Sequence, residues 1–409
     1  MASSPKLRPN YTESQAQLSS MAVFLYAVIC GSAVATVYFS QPLLDMMAIE
    51  FGINSSIIGT VVTVTQLCYA FGLLFLVPLG DMFNPRRLVT GMIVLLTIVL
   101  SIVALASNPW FLFLGMGMVG FLAVVAQVLV ALAADRAPQY RRGRTIGVVT
   151  SGIVIGILLA RTFAGTLADM AGWRSVYFVS AVIMISLALV FLTVTPDTKR
   201  PPSKNSYREV LRSIKDLFVQ IPLLRIRGLL AFFIFSAFSI LWSSMVLPMS
   251  SSPLSFSHSV IGLFGLAGVA GALAASSAGR LADRGLGQRT TGIALLLLLC
   301  SWLPIGLLLH SMWLFIIGIV MLDFAVQAIH VTNQSMILSV RPEARGRLTA
   351  GYMIFYSFGS ATGAIASTWI YSWAGWFGVC MLGVLVSMIA LIFWACTLKT
   401  SDCSLNNQQ

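Results

Sequence analysis

The chain has 409 residues, of which 58% are hydrophobic and only 9% are charged, and its mean hydropathy is +0.91. This composition excludes an ordinary soluble domain, because too much apolar surface would face water. The formal net charge of +12 does not indicate a nucleic-acid partner, because the basic residues lie in short segments between apolar runs. Runs of roughly 20 apolar residues, enough to cross a bilayer, recur almost end to end, so we expect function to reside within the membrane.

The hydrophobic pattern predicts an all-α membrane protein with twelve transmembrane helices. The predicted helices cover residues 21–44, 56–78, 88–107, 110–134, 145–168, 175–194, 227–249, 259–279, 290–309, 312–338, 348–372 and 376–398. The predicted domains are a tail at 1–20, a six-helix bundle at 21–194, a linker at 195–226, a second six-helix bundle at 227–398 and a tail at 399–409. Apolar and basic residues of the linker fall on opposite helical faces, which predicts an amphipathic helix on the membrane surface or, alternatively, a partner-binding helix.

The distribution of basic residues predicts the orientation. With the N-terminus in the cytoplasm, 23 of the 25 basic residues lie on the cytoplasmic side, and only Arg161 and Arg174 are left over. Positive charge is retained on the cytoplasmic side of membranes. Both tails are therefore predicted to be cytoplasmic.

An internal repeat relates the two predicted bundles. Pairs of identical residues are separated by 203 positions, namely Gly59 and Gly262, Trp110 and Trp313, Arg144 and Arg347, and Trp173 and Trp376. The neighbouring sequence agrees, because Arg-Gly-Arg at 142–144 recurs at 345–347. Two parallel halves of six helices are typical of secondary transporters, whose substrate site lies near the midplane between the halves.

Two charged segments lie at equivalent positions, after predicted helices 2 and 8. The first reads Pro-Leu-Gly-Asp-Met-Phe-Asn-Pro-Arg-Arg at 78–87, and the second reads Gly-Arg-Leu-Ala-Asp-Arg-Gly-Leu-Gly-Gln-Arg at 279–289. They resemble the signature of the major facilitator superfamily, Gly-x-Leu-Ala-Asp-Arg-x-Gly-Arg-Arg, and the second copy is the better match. The first copy departs from it at Val77, Gly80, Met82 and Asn84.

The resemblance covers essentially the whole chain and implies the major facilitator fold, with two pseudo-symmetric six-helix bundles. It also implies that charges at the inner helix ends form a cytoplasmic gate, which closes that side in the outward-open state. The gate residues expected on this basis are Asp81, Arg86, Arg87, Asp135, Arg144, Asp283, Arg284 and Arg347. The alternative is that these charges only set the topology and solvate tight turns.

Predicted helix 5 carries Gly152, Gly156 and Gly165, a spacing that lets helices approach closely. It resembles the glycine-rich fifth helix of proton-coupled antiporters, although Ile157 stands where a proline is expected. Residues 38–44, Tyr-Phe-Ser-Gln-Pro-Leu-Leu, resemble the bacterial drug and metabolite efflux branch. The resemblance implies a monomeric, multi-pass efflux protein of the bacterial inner membrane, of the multidrug type. Its partners would be the lipid bilayer, a small-molecule substrate and protons.

Two ionisable residues are predicted at membrane depth, where a charge costs roughly 2.5–3.5 kcal/mol even on the insertion scale. Arg161 lies about 7 residues, roughly 10 Å, from the outer end of helix 5, and Asp323 lies about 11 residues, roughly 16 Å, from the outer end of helix 10. The equivalent positions of the repeat are Ala364 and Gly120. Because the scaffold is duplicated and these charges are not, we expect them to serve the substrate or the proton.

Asp323, Gln327, His330 and Gln334 form a polar stripe on one face of predicted helix 10. In the family that the chain resembles, helices 1, 4, 7 and 10 line the cavity, so the stripe should face it. Burial favours the neutral form of a carboxylic acid and a nearby cation favours the ionised form. We therefore expect Asp323 to bind the proton, and His330 to relay it or to contact substrate. The alternative is a stripe that only fixes helix packing.

For Arg161 three roles stay open: neutralising an anionic substrate, pairing with Asp323, and snorkelling to the outer interface. Other polar and aromatic residues are expected to line the substrate cavity with it. They are Tyr38, Gln41, Gln66, Tyr69, Gln127, Trp242, Gln327, Gln334, Tyr352 and Tyr356. Aromatic walls with few charges suit an amphipathic compound, although membrane aromatics also serve as packing or interface residues.

These features together predict a secondary transporter that exports a small molecule by alternating access in exchange for protons. Proton-coupled uptake of an organic anion or sugar is one alternative, and a membrane sensor with a transporter fold is another. No Gly-x4-Gly-Lys-Ser/Thr phosphate loop occurs in the sequence, which argues against a primary pump. No nucleophile with a base and no metal-ligand cluster is evident, so we expect no enzyme, cofactor or metal.

Overall fold

The computed structural model describes residues 19–137, 141–196, 207–268, 281, 286–341 and 344–406. These residues are largely helical and include no strand. We label the membrane helices α1 to α12. The first ten are α1 Ser20–Phe51, α2 Thr60–Phe75, α3 Pro85–Ala104, α4 Pro109–Arg136, α5 Arg142–Ala171, α6 Trp173–Val194, α7 Pro222–Ser250, α8 His258–Ala267, α9 Gly287–Gly306 and α10 Met312–Val340. The last helical run, Arg345–Asn406, is divided at Gly375 into α11 and α12.

The all-α fold class is confirmed. Among the described residues, nine helical segments are long and apolar enough to cross a membrane. One of them, Gly346–Leu398, holds both α11 and α12, while Thr60–Phe75 and His258–Ala267 are shorter apolar helices. This pattern is consistent with the twelve predicted helices. The inner and outer ends of the helices are defined by the orientation that the basic residues predict, in which α1 begins at the inner, cytoplasmic side.

Prolines account for two differences from the predicted helix boundaries. Helix α1 continues past its predicted end at residue 44 and ends at Phe51. Within it lies a 3-10 turn at Gln41–Leu43, because Pro42 has no N–H for the regular helical hydrogen bond. Helix α7 begins at Pro222 rather than at residue 227, because proline suits the first turn of a helix. Arg227 is therefore inside the membrane helix and not at its first position.

The repeat in the sequence corresponds to equivalent positions in three dimensions. Gly172 and Gly375 both have positive φ angles, +80° and +58°, which glycine adopts without steric cost, and each lies between two membrane helices. Gly59 and Gly262 both lie at close crossings: a Cβ would be 2.5 Å from a backbone carbonyl of α11 at Gly59, and 2.4 Å from one of α5 at Gly262. Helix α2 thus packs on α11, and α8 packs on α5.

A helix at Tyr207–Gln220 occupies the predicted linker. The hydroxyl of Tyr207 donates to the backbone carbonyl of Phe75 on α2 at 3.0 Å, and the ring of Phe218 packs 5.8 Å from that of Phe355 on α11. This linker helix therefore contacts both predicted bundles. The division into two bundles and cytoplasmic tails stays a prediction, and residues 1–18 and 407–409 of those tails lie outside the described residues.

Candidate functional site

Arg161 is buried in the middle of the protein, with 3% of its surface exposed. Its Nε donates to Oε1 of Gln41 on α1 at 2.9 Å. Its guanidinium lies 3.8 Å from the ring centre of Trp242 on α7, and 5.4 Å from the ring centres of Phe238 and Tyr38. An amide and three aromatic faces thus surround the charge, at a distance from the outer interface. Its Nη2 has no hydrogen-bond acceptor among the described residues.

Asp323 on α10 is buried as well, with 4% of its surface exposed. Its Oδ1 accepts a hydrogen bond of 3.1 Å from Nε1 of Trp242. None of the ion pairs among the described residues joins Asp323 to Arg161. The two side chains instead share Trp242, whose ring faces the guanidinium and whose N–H binds the carboxylate. Of the three roles left open for Arg161, a pairing with Asp323 would thus be indirect in this conformation.

A small cavity of about 30 Å³ lies beside these two side chains. It is lined by Val154, Ile157, Leu158, Arg161, Phe238, Gly268, Asp323 and Gln327. A space of this size holds about one water molecule. Three polar side chains from α5 and α10 thus meet at one point, on a contact between the two predicted bundles.

Hydroxyl groups and aromatic rings continue the site towards the inner side. The hydroxyl of Tyr38 on α1 is hydrogen-bonded to that of Tyr356 on α11. His330 lies 3.0 Å, from Nδ1 to the hydroxyl oxygen, from Tyr352, and the ring of Phe235 packs 4.1 Å from that of Tyr356. His330 makes no hydrogen bond to Asp323 among the described contacts. The role of His330 as a relay or a substrate contact therefore stays a prediction.

The remaining predicted cavity residues are dispersed over α2, α4 and α10. Gln127 donates from Nε2 to the hydroxyl of Tyr69 at 3.5 Å. Gln66 is buried, and its Oε1 has no hydrogen-bond partner among the described residues. Gln327 and Gln334 are partly exposed, and only Gln327 borders the small cavity. Of the polar stripe on α10, only Asp323 and Gln327 line the small cavity together with Arg161.

The expected cytoplasmic gate stays a prediction, because only part of it belongs to the described residues. Asp283, Arg284 and the side chain of Asp81 lie outside those residues. The guanidinium of Arg86 donates to the backbone carbonyl of Leu192. Arg87, Asp135, Arg144 and Arg347 are at least partly exposed. The pairing of Arg86 with an acid therefore stays a prediction, because the side chain of Asp81 lies outside the described residues.

The glycines predicted to allow close packing lie at two helix crossings. A Cβ at Gly152 would be 2.1 Å from the carbonyl oxygen of Ala27, and a Cβ at Gly156 would be 2.2 Å from that of Gly31. Gly165 faces α8 in the same way, 2.0 Å from the carbonyl oxygen of the first residue of that helix. Any larger residue at these three positions would force α5 away from α1 or α8.

Sequence reasoning missed a second buried arginine, Arg227 on α7, of which 1% is exposed. Its Nη1 donates to Thr291 and Asn333 at 3.2 Å each, and its Nη2 donates to Oε1 of Gln288 at 2.7 Å. These partners belong to α9 and α10. The signal for this site was Pro222, which marks the true start of the helix five residues before Arg227.

A cluster of one histidine and two aspartates was also missed, at the outer ends of α1, α5 and α8. Nε2 of His258 lies 3.0 Å from both carboxylate oxygens of Asp45, and its Nδ1 lies 3.3 Å from Oδ1 of Asp169. The carboxylate of Asp169 also accepts the backbone N–H groups of His258 and Ser259, at 3.1 and 2.6 Å. Asp169 therefore caps the start of α8 from a different helix.

Both ring nitrogens of His258 face carboxylates, and only the protonated imidazole has two N–H donors. The imidazolium form thus makes ion pairs with Asp45 and Asp169, which lie on the predicted N-terminal bundle, while His258 belongs to the C-terminal one. Loss of the proton removes one donor and the attraction to both acids. We therefore expect this contact between the outer helix ends to weaken as the pH rises.

We expect His258→Gln to weaken the outer contact and to remove its pH response, because glutamine carries no charge. Spin labels at the exposed residues Ile49 and Val260 would report the distance between the outer ends. In the wild type the separated population should grow as the pH rises from 6 to 8, and in the variant it should be large at both values. Glu50→Gln is the control, because Glu50 binds Arg174 within one bundle. Identical distance distributions for wild type and His258→Gln would contradict this role.

Comparison with known proteins agrees with this architecture. The sequence model of the family named Major Facilitator Superfamily matches residues 23–303 and 227–402 of this chain. The chain is 44% identical to the "Uncharacterized transporter YgaY" of Escherichia coli O157:H7 over 94% of this chain and 97% of that protein. It is 23% identical to a "Probable sugar efflux transporter" of Helicobacter pylori (strain HPAG1), over 93% and 96% of the two chains.

Among solved structures, a bacterial homologue of the human lysosomal transporter Spinster, in an inward-facing and unoccupied conformation, superposes with a TM-score of 0.75. Its sequence is 14% identical, and the match covers 95% of this chain and 98% of that one. At this identity the likeness concerns the fold alone. Because the family model matches nearly the whole chain and the YgaY relative is 44% identical to it, the chain belongs to the Major Facilitator Superfamily of membrane transporters.

Proposed function

We propose that this transporter exports a small amphipathic molecule in exchange for protons, by exposing one central site alternately to the two sides of the membrane. The observation that supports the proposal is the pair of buried charges, Arg161 and Asp323, at one cavity without a direct ion pair. Ionisable groups at membrane depth are costly, and a close ion pair would lower that cost. Their separation by Trp242 leaves both groups available to a substrate or a proton.

Exchange is supported by the second carboxylate oxygen of Asp323, which accepts no hydrogen bond from the described residues. Trp242 binds Oδ1 of Asp323, and Oδ2 lies beside Gly268, 3.3 Å from where a Cβ would be. A substrate that donates a hydrogen bond to Oδ2 requires the ionised acid, whereas a bound proton removes that acceptor. Substrate and proton therefore compete for Asp323, which is the condition for antiport. The neighbouring rings of Trp242, Phe238 and Tyr38 suit the apolar part of an amphipathic molecule.

Alternating access requires contacts that close one side and can break. Besides the His258 cluster, the hydroxyl of Thr63 on α2 donates to the backbone carbonyl of Ala361 on α11 at 2.8 Å, and that of Thr162 on α5 donates to Gly262 on α8 at 3.0 Å. These contacts lie towards the outer ends of the helices. They support a conformation that is closed on the outer side, from which export begins with substrate entering from the inner side.

A second candidate function is proton-coupled uptake of an organic anion or sugar. It is favoured by Arg161, whose Nη2 lacks an acceptor among the described residues and could bind an acidic group. A bound anion near Asp323 would favour the protonated acid, so substrate and proton would bind together and move in the same direction. The opposite sign of this coupling separates the two candidates.

The deciding experiment measures transport of a compound panel in proteoliposomes under an imposed pH gradient, with the membrane potential held at zero. For an antiporter, substrate accumulates on the acidic side, because protons leave that side as substrate enters it. For a symporter, substrate accumulates on the alkaline side. This result does not depend on how the protein is oriented in the vesicle. A sensor with a transporter fold would bind a compound and give no gradient-driven flux, which would exclude both candidates.

A further inference from the structure

A long apolar groove lies on the membrane-facing side of α1, α5 and α6, outside the central site. Its volume is about 590 Å³. Three of the residues that line it are serines, and the others are apolar residues or glycine. On α5 the groove extends from Val148 to Phe163, about 22 Å at the rise of an α-helix, which is most of the roughly 30 Å of a hydrocarbon core.

The groove exists because α1 and α5 cross in contact at glycines. Gly31, Gly152 and Gly156 lie at this crossing, where a Cβ would meet the backbone of the opposite helix, and they also line the groove, so its floor is backbone and not side chains. The walls are formed by larger residues such as Phe24 and Ile155, which are 62% and 54% exposed. In a bilayer such exposed apolar walls face lipid, so the natural occupant is an acyl chain.

Helix α5 presents different faces to the groove and to the central cavity. Ile155 and Leu159 line the groove, whereas Val154, Leu158 and Arg161 line the cavity. An occupant of the groove would therefore contact the helix that carries Arg161 without entering the substrate site. The groove is a separate binding surface with a structural connection to that site.

A basic residue on α5, Arg144, lies one helical turn before the first groove residue of that helix. Arg144 is exposed and takes part in none of the hydrogen bonds or ion pairs of the described residues. It precedes Val148 by four residues, so both lie on one face of α5. A guanidinium at this depth, on the side predicted to be cytoplasmic, is placed to bind a phosphate of an anionic headgroup.

We propose that the groove binds an anionic phospholipid, with one acyl chain along the crossing of α1 and α5 and its phosphate on Arg144. The apolar length, the exposure to the bilayer and the charge at one end together specify a lipid with a negative headgroup. A zwitterionic lipid would fit the groove without using Arg144. If a second copy of the protein occupied the groove, one of its helices would take the place of the acyl chain and the protein would be a dimer.

The proposal predicts selective lipid binding that depends on both ends of the site. In native mass spectrometry of the purified full-length protein, phosphatidylglycerol should bind more tightly than phosphatidylcholine of the same chain length. Arg144→Gln should weaken phosphatidylglycerol binding about fivefold, the effect expected for one basic residue at an anionic surface. Arg212→Gln is the charge control, because Arg212 is exposed on the linker helix and away from the groove.

A second variant tests the apolar part. Ser151→Leu fills the groove from its exposed wall and should weaken binding of both lipids. Ser186→Leu is its matched control on α6. Both serines are exposed and donate to the carbonyl four residues earlier at 2.8 Å, but only Ser151 lines the groove. Equal binding of the two lipids, equal effects of the two serine variants, or dimers that form without lipid would overturn the proposal.

Discussion

Asp323→Asn is expected to abolish proton-driven accumulation of substrate. A gradient of one pH unit corresponds to about 1.4 kcal/mol per proton, so a transporter that exchanges one proton per cycle holds about a tenfold substrate gradient. Asparagine keeps the oxygen that accepts from Trp242 but cannot bind and release a proton. The variant should therefore reach equal substrate concentrations on both sides in proteoliposomes with a one-unit pH gradient and no membrane potential.

The control for this experiment is Asp216→Asn, which removes a carboxylate from the exposed face of the linker helix. It should keep the tenfold accumulation of the wild type. Substrate exchange without a pH gradient should persist in Asp323→Asn, which would show that the variant is folded and binds substrate. A tenfold gradient retained by Asp323→Asn would remove this residue from proton coupling.

Arg161→Gln is expected to lower the transport rate by at least about thirtyfold. A cation–π contact out of water is worth about 2 kcal/mol, and each 1.4 kcal/mol corresponds to a factor of ten. Arg161→Lys keeps the charge but loses the hydrogen bond to Gln41 and the flat stacking on Trp242, so it should transport at less than about a tenth of the wild-type rate. Both rates are measured as initial flux at saturating substrate.

A charge-swapped protein separates the roles that were open for this arginine. The double variant Arg161→Asp, Asp323→Arg should recover no activity. An arginine at position 323 has only hydrogen-bond donors, so it cannot accept the N–H of Trp242. Recovery would show that only the sum of the two charges matters. Arg174→Gln is the matched control, since Arg174 stacks on Trp173 at 4.5 Å at the exposed outer end, and it should transport normally.

The fold was predictable from local properties of the chain. The length of the apolar runs, their separation by basic segments and the 203-residue repeat all depend on short stretches of sequence, because a bilayer imposes the same requirement on every helix that crosses it. The boundary errors arose where one proline changed the backbone, at Pro42 and Pro222. The second error hid Arg227, because a predicted position at the very start of the helix gave no reason to examine its side chain.

For the candidate site, the absence of Arg161 and Asp323 from the repeat was enough to select these two charges. Their relation was not predictable. Sequence offered a direct pair, an anion site or an interface anchor, and the choice depends on the position of Trp242 between α5 and α10. His258 is a similar case, since its two acidic partners are 213 and 89 residues away in the chain and share no motif with it.

The sequence alone determined that this protein crosses the membrane many times, that its two halves are related, and that two intramembrane charges do not belong to the common scaffold. Each conclusion follows from the cost of polar groups in hydrocarbon, which acts on residues one segment at a time. Only the tertiary structure decided that Trp242 connects those charges, that His258 links the outer helix ends, and that a groove opens where α1 and α5 cross. Those contacts join residues distant in sequence, and they depend on where whole helices cross.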